Sequence, residues 1–163
     1  MPVVDNAGKM KALIREMKTL ARSELRVGVL TNEGSVPHKG GEAGHTVADV
    51  FSYHELGRGN NPQRSSLGWV VAEDGKLNET MDFTAKWTGL VVDGKAPAKK
   101  VMGVIGEYII AETKARIQSN IPPELSEARK AQKVRAGKTG NTALIDTGQL
   151  INSFRYDINE VIT

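Results

Sequence analysis

The chain has 163 residues, a net charge of +3, 39% hydrophobic and 25% charged residues, and no cysteine. That length suits one domain, residues 1–163, able to bury about 70% of its unfolded surface. Zero cysteines exclude a disulfide framework and a thiolate metal site. No apolar run approaches the roughly 20 residues of a membrane span, and the opening MPVVDNAGK lacks the pattern of an export signal, so a chain folded in the cytoplasm without membrane contact is expected.

Asp5 or Asn6 can cap a first helix over about 6–22, in which Met10, Leu13, Ile14, Met17, Leu20 and Ala21 recur at helical spacing. Leu25, Val27 and Val29 alternate with Arg26 and Gly28 and predict a half-buried strand. Residues 31–45 are rich in glycine, contain Pro37 and have little apolar material, which predicts a long flexible loop. Val47, Val50, Phe51 and His54 share one face of a short helix that Gly57 can end. After the turn-rich segment 57–66, Leu67, Trp69 and Val71 alternate as a short strand would. Asp74 can cap a helix carrying Leu77, Met81, Phe83, Thr84, Trp87 and Val91, with Gly89 interrupting it.

The longest element is a central helix over about 97–120, with Val101, Ile105, Tyr108, Ile109 and Glu112 along one side and Val104, Ile110 and Ile117 widening it. Pro97 suits a first turn and Ile121-Pro122-Pro123 stops the helix. Gly103 and Gly106 cost helix propensity of about 1 kcal/mol each, so another element is expected to pack closely there. Residues 122–142 predict a basic flexible arm or a short polar helix: Arg129, Lys130, Lys133, Arg135 and Lys138 occur with no carboxylate between Ala128 and Asn141. No aromatic residue interleaves with these cations, which argues against stacking on single-stranded nucleic acid. Phe154, Tyr156 and Ile158 then alternate in a last strand over about 153–162. The fold class is α+β: a small, mostly antiparallel sheet packed against the long helix, with the N-terminal helix alongside.

The motifs of chemistry are incomplete. Asp146-Thr147-Gly148 matches the triplet of aspartic proteases, which need two such aspartates sharing a proton. No second triplet exists and only 15 residues follow Gly148. Asp146 is therefore expected to cap the turn at 147–152, with Gly148 easing the bend. Gly137-Lys138-Thr139 resembles the end of a phosphate-binding loop, but Gln132 stands where its first glycine belongs. His38, His45 and His54 do not assemble a metal set with a fixed carboxylate. No catalytic residue, metal or cofactor is expected.

Four stretches carry a family resemblance: Tyr53-His54-Glu55-Leu56-Gly57, then Asn61-Pro62-Gln63-Arg64-Ser65, the helix around Val104-Ile105-Gly106, and Leu144 to Tyr156 (LIDTGQLINSFRY). In this order they resemble the neck or tail-completion proteins of tailed bacteriophages. That family has a His-Glu-Phe-Gly-like element, a Pro-x-Arg-x-Phe turn and a Leu-Ile-Asp-Thr-Gly-x-Leu-x-x-Ser-Ile-x-Tyr run. Leu56 replaces the usual aromatic here, and Ser66-Leu67 stands where Phe-Leu or Phe-Ile is common.

The resemblance covers about residues 24–158. It implies a non-enzymatic virion protein in the phage neck, a homo-oligomeric ring of six or twelve copies assembled in the host cytoplasm. Its partners would be head-side connector or portal proteins and tail-terminator or tail-tube proteins, with at most non-specific contact with passing genomic DNA. Arg64, Arg129, Lys130, Lys133, Arg135 and Lys138 are then candidates for subunit interfaces or the channel wall, Arg64 being weighed against simple snorkelling over the sheet. Glu55, Gly57, Pro62, Asp146, Thr147 and Gly148 are the structural motif. A tail-terminator ring is a neighbouring reading, and a basic nucleic-acid-binding module is one of a different class.

Overall fold

A computed structural model describes residues 6–39, 44–73, 75–138 and 142–161. In chain order these form α1 (Asn6–Ala21), β1 (Ser23–Val29), α2 (Thr31–Gly34), α3 (Val47–Leu56), α4 (Leu67–Val71), α5 (Leu77–Val92), α6 (Ala98–Gln118), α7 (Glu127–Arg135) and β2 (Phe154–Glu160). The class is α+β. β1 and β2 pair antiparallel, from Ser23 opposite Glu160 to Val29 opposite Phe154.

α6 is the element on which the rest is laid. Pro97 precedes it in extended conformation (φ −73°, ψ 144°), and Asn120, at φ 58°, lies just beyond its end before Ile121 and the prolines. Its buried side chains serve two apolar clusters. Val101, Ile105 and Ile109 pack with Val70 of α4, Val91 of α5 and Ala98. Further along, Ile110 and Ile117 pack with Val47, Ile121, Leu150, Ile151 and Phe154. Val27 packs against both clusters, so the strand pair spans them. An isolated pair of strands is marginally stable at best in water; burial of its apolar face on α6 supplies what pairing alone does not.

The two glycines of α6 mark that seat. A Cβ at Gly106 would lie 2.6 Å from Cγ of Tyr156 and 2.9 Å from its Cβ, so the tyrosine of β2 rests on bare helix backbone. At Gly103 the nearest neighbour is the Tyr156 hydroxyl oxygen, 3.2 Å from where a Cβ would stand. On its other flank, α6 presents Tyr108 stacked on Phe83 of α5, with ring centroids 3.9 Å apart.

Several sequence expectations require correction. Leu67–Val71 is helix, not strand, because a carboxylate from elsewhere in the chain caps its amides, as described below. Helix α5 runs through Gly89 without interruption and begins after Lys76; Asp74, expected as its cap, lies outside the described residues, as does Asp5. The loop expected over 31–45 begins with α2 and is closed by hydrogen bonds from His38 N to His45 O and from Val47 N to Val36 O; residues 40–43 lie outside the description. Of the two readings of the basic segment, flexible arm or short polar helix, the structure has a nine-residue helix, α7, whose Arg129 amide donates to Ser126 Oγ; residues 139–141, Thr139 among them, are not described, nor is residue 162, expected at the end of the last strand.

Candidate functional site

The motif residues meet where α3, the turn after it, the segment 120–138 and the turn 142–150 come together. α3 starts at a reciprocal cap. Asp49 N donates to Thr46 Oγ1 at 3.2 Å while the Asp49 carboxylate accepts from Thr46 N at 2.8 Å. The amide and hydroxyl of Thr46 hold the Asp49 carboxyl below the usual carboxylate range. Gly57 ends the helix in the left-handed region (φ 67°, ψ 48°). A side chain there would also collide with Gln63, whose backbone N lies 3.0 Å from an ideal Cβ. This tight reversal lets Pro62-Gln63-Arg64 run back along α3, with Arg64 N donating to His54 O at 2.7 Å and Gln63 Nε2 to Glu55 O at 3.1 Å.

The reversal brings the Glu55 carboxylate to the start of α4. It accepts hydrogen bonds from Ser65 Oγ (2.8 Å), Ser66 N (2.9 Å), Ser66 Oγ (3.0 Å) and Gly68 N (2.6 Å), with Leu67 N at 3.4 Å. Ser65 and Ser66 are buried. A carboxylate at this place satisfies amides that a helix start leaves without partners, and complements the positive end of the helix. This accounts for α4 being helical despite its strand-like alternation.

The cations assigned to interfaces or a channel are mostly spent inside the chain. Arg64 is 4% exposed, and its Nε and Nη2 donate to Pro123 O at 3.0 and 2.6 Å. Lys133 is also 4% exposed, its Nζ donating to Thr142 O (3.1 Å) and Ile145 O (2.7 Å). Burial lowers the pKa of both groups. The expectation that these two face a neighbour or a channel is thereby corrected: each fastens one backbone segment to another. Lys130 pairs with Glu127 (2.9 Å) and Glu124 (3.1 Å), Arg129 bonds Gln132, and Lys138 pairs with Asp146. Among the described residues, Arg135 alone of the six is exposed with no hydrogen-bond or ion-pair partner.

Asp146 is likewise not the expected cap. It spends Oδ2 on Lys138, and the turn is capped by Thr147, whose Oγ1 accepts from Gln149 N at 3.3 Å. Gly148 takes φ 73°. Gln149 ties this turn to the other loop through Lys39 N (2.8 Å) and Pro37 O (3.0 Å), and Asn120 Oδ1 accepts from Ala143 N (3.0 Å). Pro62 is exposed at the rim. Asn120 was not singled out from the sequence, and Gln149, Ser65 and Ser66 were quoted only within longer stretches, with no role assigned. Only the serines carried a signal, since two serines before an apolar run read as a helix start.

Between these segments lies an open groove of about 1000 Å³, lined by His54, Arg64, Arg129, Lys133 and Asp146 among others. His54 Nδ1 and Asp146 Oδ1 are buried there without a hydrogen-bond partner. Burial first, then the nearby charges of Arg64 and His38, push the His54 imidazole down to about 4, so it is neutral at pH 7. No group of three or more His, Cys, Asp or Glu is placed to hold a metal among the described residues, and no described helix is long and apolar enough to cross a membrane.

Two expected results follow from this geometry. Arg64→Ala removes the buried guanidinium that holds the Pro123 carbonyl and should cost about 2–3 kcal/mol in urea unfolding, with faster amide exchange across 120–138. Arg135→Ala should stay within about 0.5 kcal/mol; equal effects from the two would contradict the fastening role. His54 has a folded pKa below its unfolded value of about 6.5. Its contribution is therefore complete above that pH and lost as pH falls from about 6.5 towards 4. Allowing for partial exposure, wild type should lose about 1–2 kcal/mol more than His54→Gln between pH 7.5 and 4.5. Parallel pH profiles would rule this out.

Compared with family models, curated proteins and solved structures, the chain gave no match.

Proposed function

We propose that this chain is a non-catalytic structural protein of a tailed-phage virion, forming a ring in the neck that joins the DNA-filled head to the tail. The observation that carries the reading is what the residues of the motif-like stretches do. Glu55, Arg64, Asp146 and Gln149 all fasten loops to one another. A protein whose most distinctive residues are spent on holding long surface segments in fixed places is suited to assembly, where those segments meet other subunits. In this reading the sheet laid on the long helix is the body of each subunit, with head-side connector or portal proteins above and tail-terminator or tail-tube proteins below.

The nucleic-acid-module reading is the weaker one. It relied on the cations of 128–141, and most of these have intramolecular partners. Modest affinity for DNA also suits a ring through which a genome passes, since each phosphate contact adds to a salt-sensitive grip.

The test is native mass by light scattering over a concentration series, coupled to an assay in which purified protein is added to tailless heads and separated tails. The expected outcome is a discrete six- or twelvefold species, alone or on virion parts, and restored joining. Capping of tails without joining would move the protein to the tail-terminator position. A monomer that neither binds virion parts nor restores joining would sink the proposal.

A further inference from the structure

The two longest surface helices each leave an apolar stripe uncovered. On α1, Met10 (57% exposed), Ile14 (45%) and Met17 (44%) lie with Ala21 on one side, next to the inward-packed edge that carries Leu13 and Leu20. At about 100° per residue these four fall within an arc of roughly 60°. On α5, Met81 (59%) and Val92 (52%) lie with exposed Ala85 and with Gly89, where an added Cβ would meet nothing within 4 Å. That arc is roughly 80° wide. Large apolar side chains on one helix and a bare, small-residue segment on the other are the two halves of a close helix–helix contact, knob against gap.

Charge chooses the pairing. Lys11, Arg15 and Lys18 border the α1 stripe on one rotational side, and the only ion pair among them is a loose one from Arg15 to Glu16 at 3.6 Å. Asp82 borders the α5 stripe on the same rotational side; Lys86 and then Glu79 lie farther round, Glu79 being paired with Lys76 at 3.3 Å. When two helices dock face to face and antiparallel, rims on the same rotational side meet. An α1–α1 pair would therefore set cation against cation. An α1–α5 pair sets Lys18 near Asp82, with Ile14 over Ala85.

We propose that α1 of one copy docks antiparallel on the outward face of α5 of a second copy, with Lys18 opposite Asp82. Because the two faces are different surfaces of the same chain, the proposed contact runs head-to-tail from copy to copy and closes into a ring where the rotation allows, rather than pairing reciprocally as a two-fold dimer. This rests on the ring reading above and specifies which surfaces build it. A few turns of helix bury less than a stable standard-size interface needs, so the contact is weak in a single pair and is completed by repetition.

The absence of cysteine from the chain makes the contact directly testable by cross-linking. Copies carrying Ile14→Cys are mixed with copies carrying Ala85→Cys and oxidised. The expected result is a disulfide-linked mixed dimer forming at least tenfold faster than either variant links to itself. Lys18→Glu in the first copy should cut that rate several-fold, and Asp82→Lys in the second should restore it. Faster self-linking of Ile14→Cys copies, or no mixed dimer, would overturn the docking. If light scattering still showed a discrete ring, the ring reading would stand with other surfaces. A mixed dimer from a protein that fails to join heads to tails would keep the docking and remove the neck.

Discussion

Glu55→Ala is expected to lower the free energy of unfolding by about 3–5 kcal/mol, more than any other single change at the motif residues. The carboxylate serves two serine hydroxyls and the amides at the start of α4, and Ser65 and Ser66 are buried. Alanine leaves these donors facing a space with no acceptor, at about 1–3 kcal/mol for each one that water cannot reach. For a chain of this size that corresponds to a fall in Tm of roughly 10 °C. Glu55→Gln should recover little, since its amide presents one acceptor and a donor to a ring of donors. Helix α4 holds Val70 in the core at 0% exposure, so the loss should appear as weakened amide protection from Ser66 to Ala72 before global unfolding. A melting point within 2 °C of wild type would show that water satisfies these groups and that the carboxylate is not what holds the segment.

Gly106→Ala should cost about 2–3 kcal/mol even though alanine favours helix by nearly 1 kcal/mol over glycine. The added methyl would stand 2.6 Å from Tyr156 Cγ and 2.9 Å from its Cβ. These are the root of the side chain rather than a free end, so relief requires β2 itself to lift from α6. Gly103→Ala meets only the hydroxyl end of the same ring at 3.2 Å. A slight tilt of the ring suffices there, and the change should fall between neutral and about 1 kcal/mol stabilising. A urea series on both variants, with Tyr156→Val as the second arm of a double-mutant cycle, separates clash from propensity. The cost of Gly106→Ala should shrink by at least 1 kcal/mol when the ring is absent. A cost independent of residue 156 would place the strain elsewhere.

The elements that follow from their own residues were readable along the chain. The spacing of Val101, Ile105 and Ile109, with Pro97 before and the Ile121-Pro122-Pro123 stop after, sets α6 almost to its ends. Met10 to Ala21 spells an amphipathic helix, and the alternations around Val27 and Tyr156 spell the two strands. Even the close approach at Gly106 was legible, because glycine inside a long helix is tolerated best where another element needs the room.

What the tertiary structure alone decided is where polar side chains reach. Leu67 to Val71 alternates like a strand yet is helical, because Glu55, more than ten residues earlier, caps its amides. Arg64 and Lys133 read as surface cations from composition and are instead buried on backbone carbonyls far along the chain. Asp146 reads as a cap from its neighbours and instead neutralises Lys138. Periodicity reports which face of a segment is apolar, because burial acts on every residue of that face and repeats with the backbone. A hydrogen bond to a distant carbonyl is a single event with no period, so it becomes visible only when the chain has closed on itself.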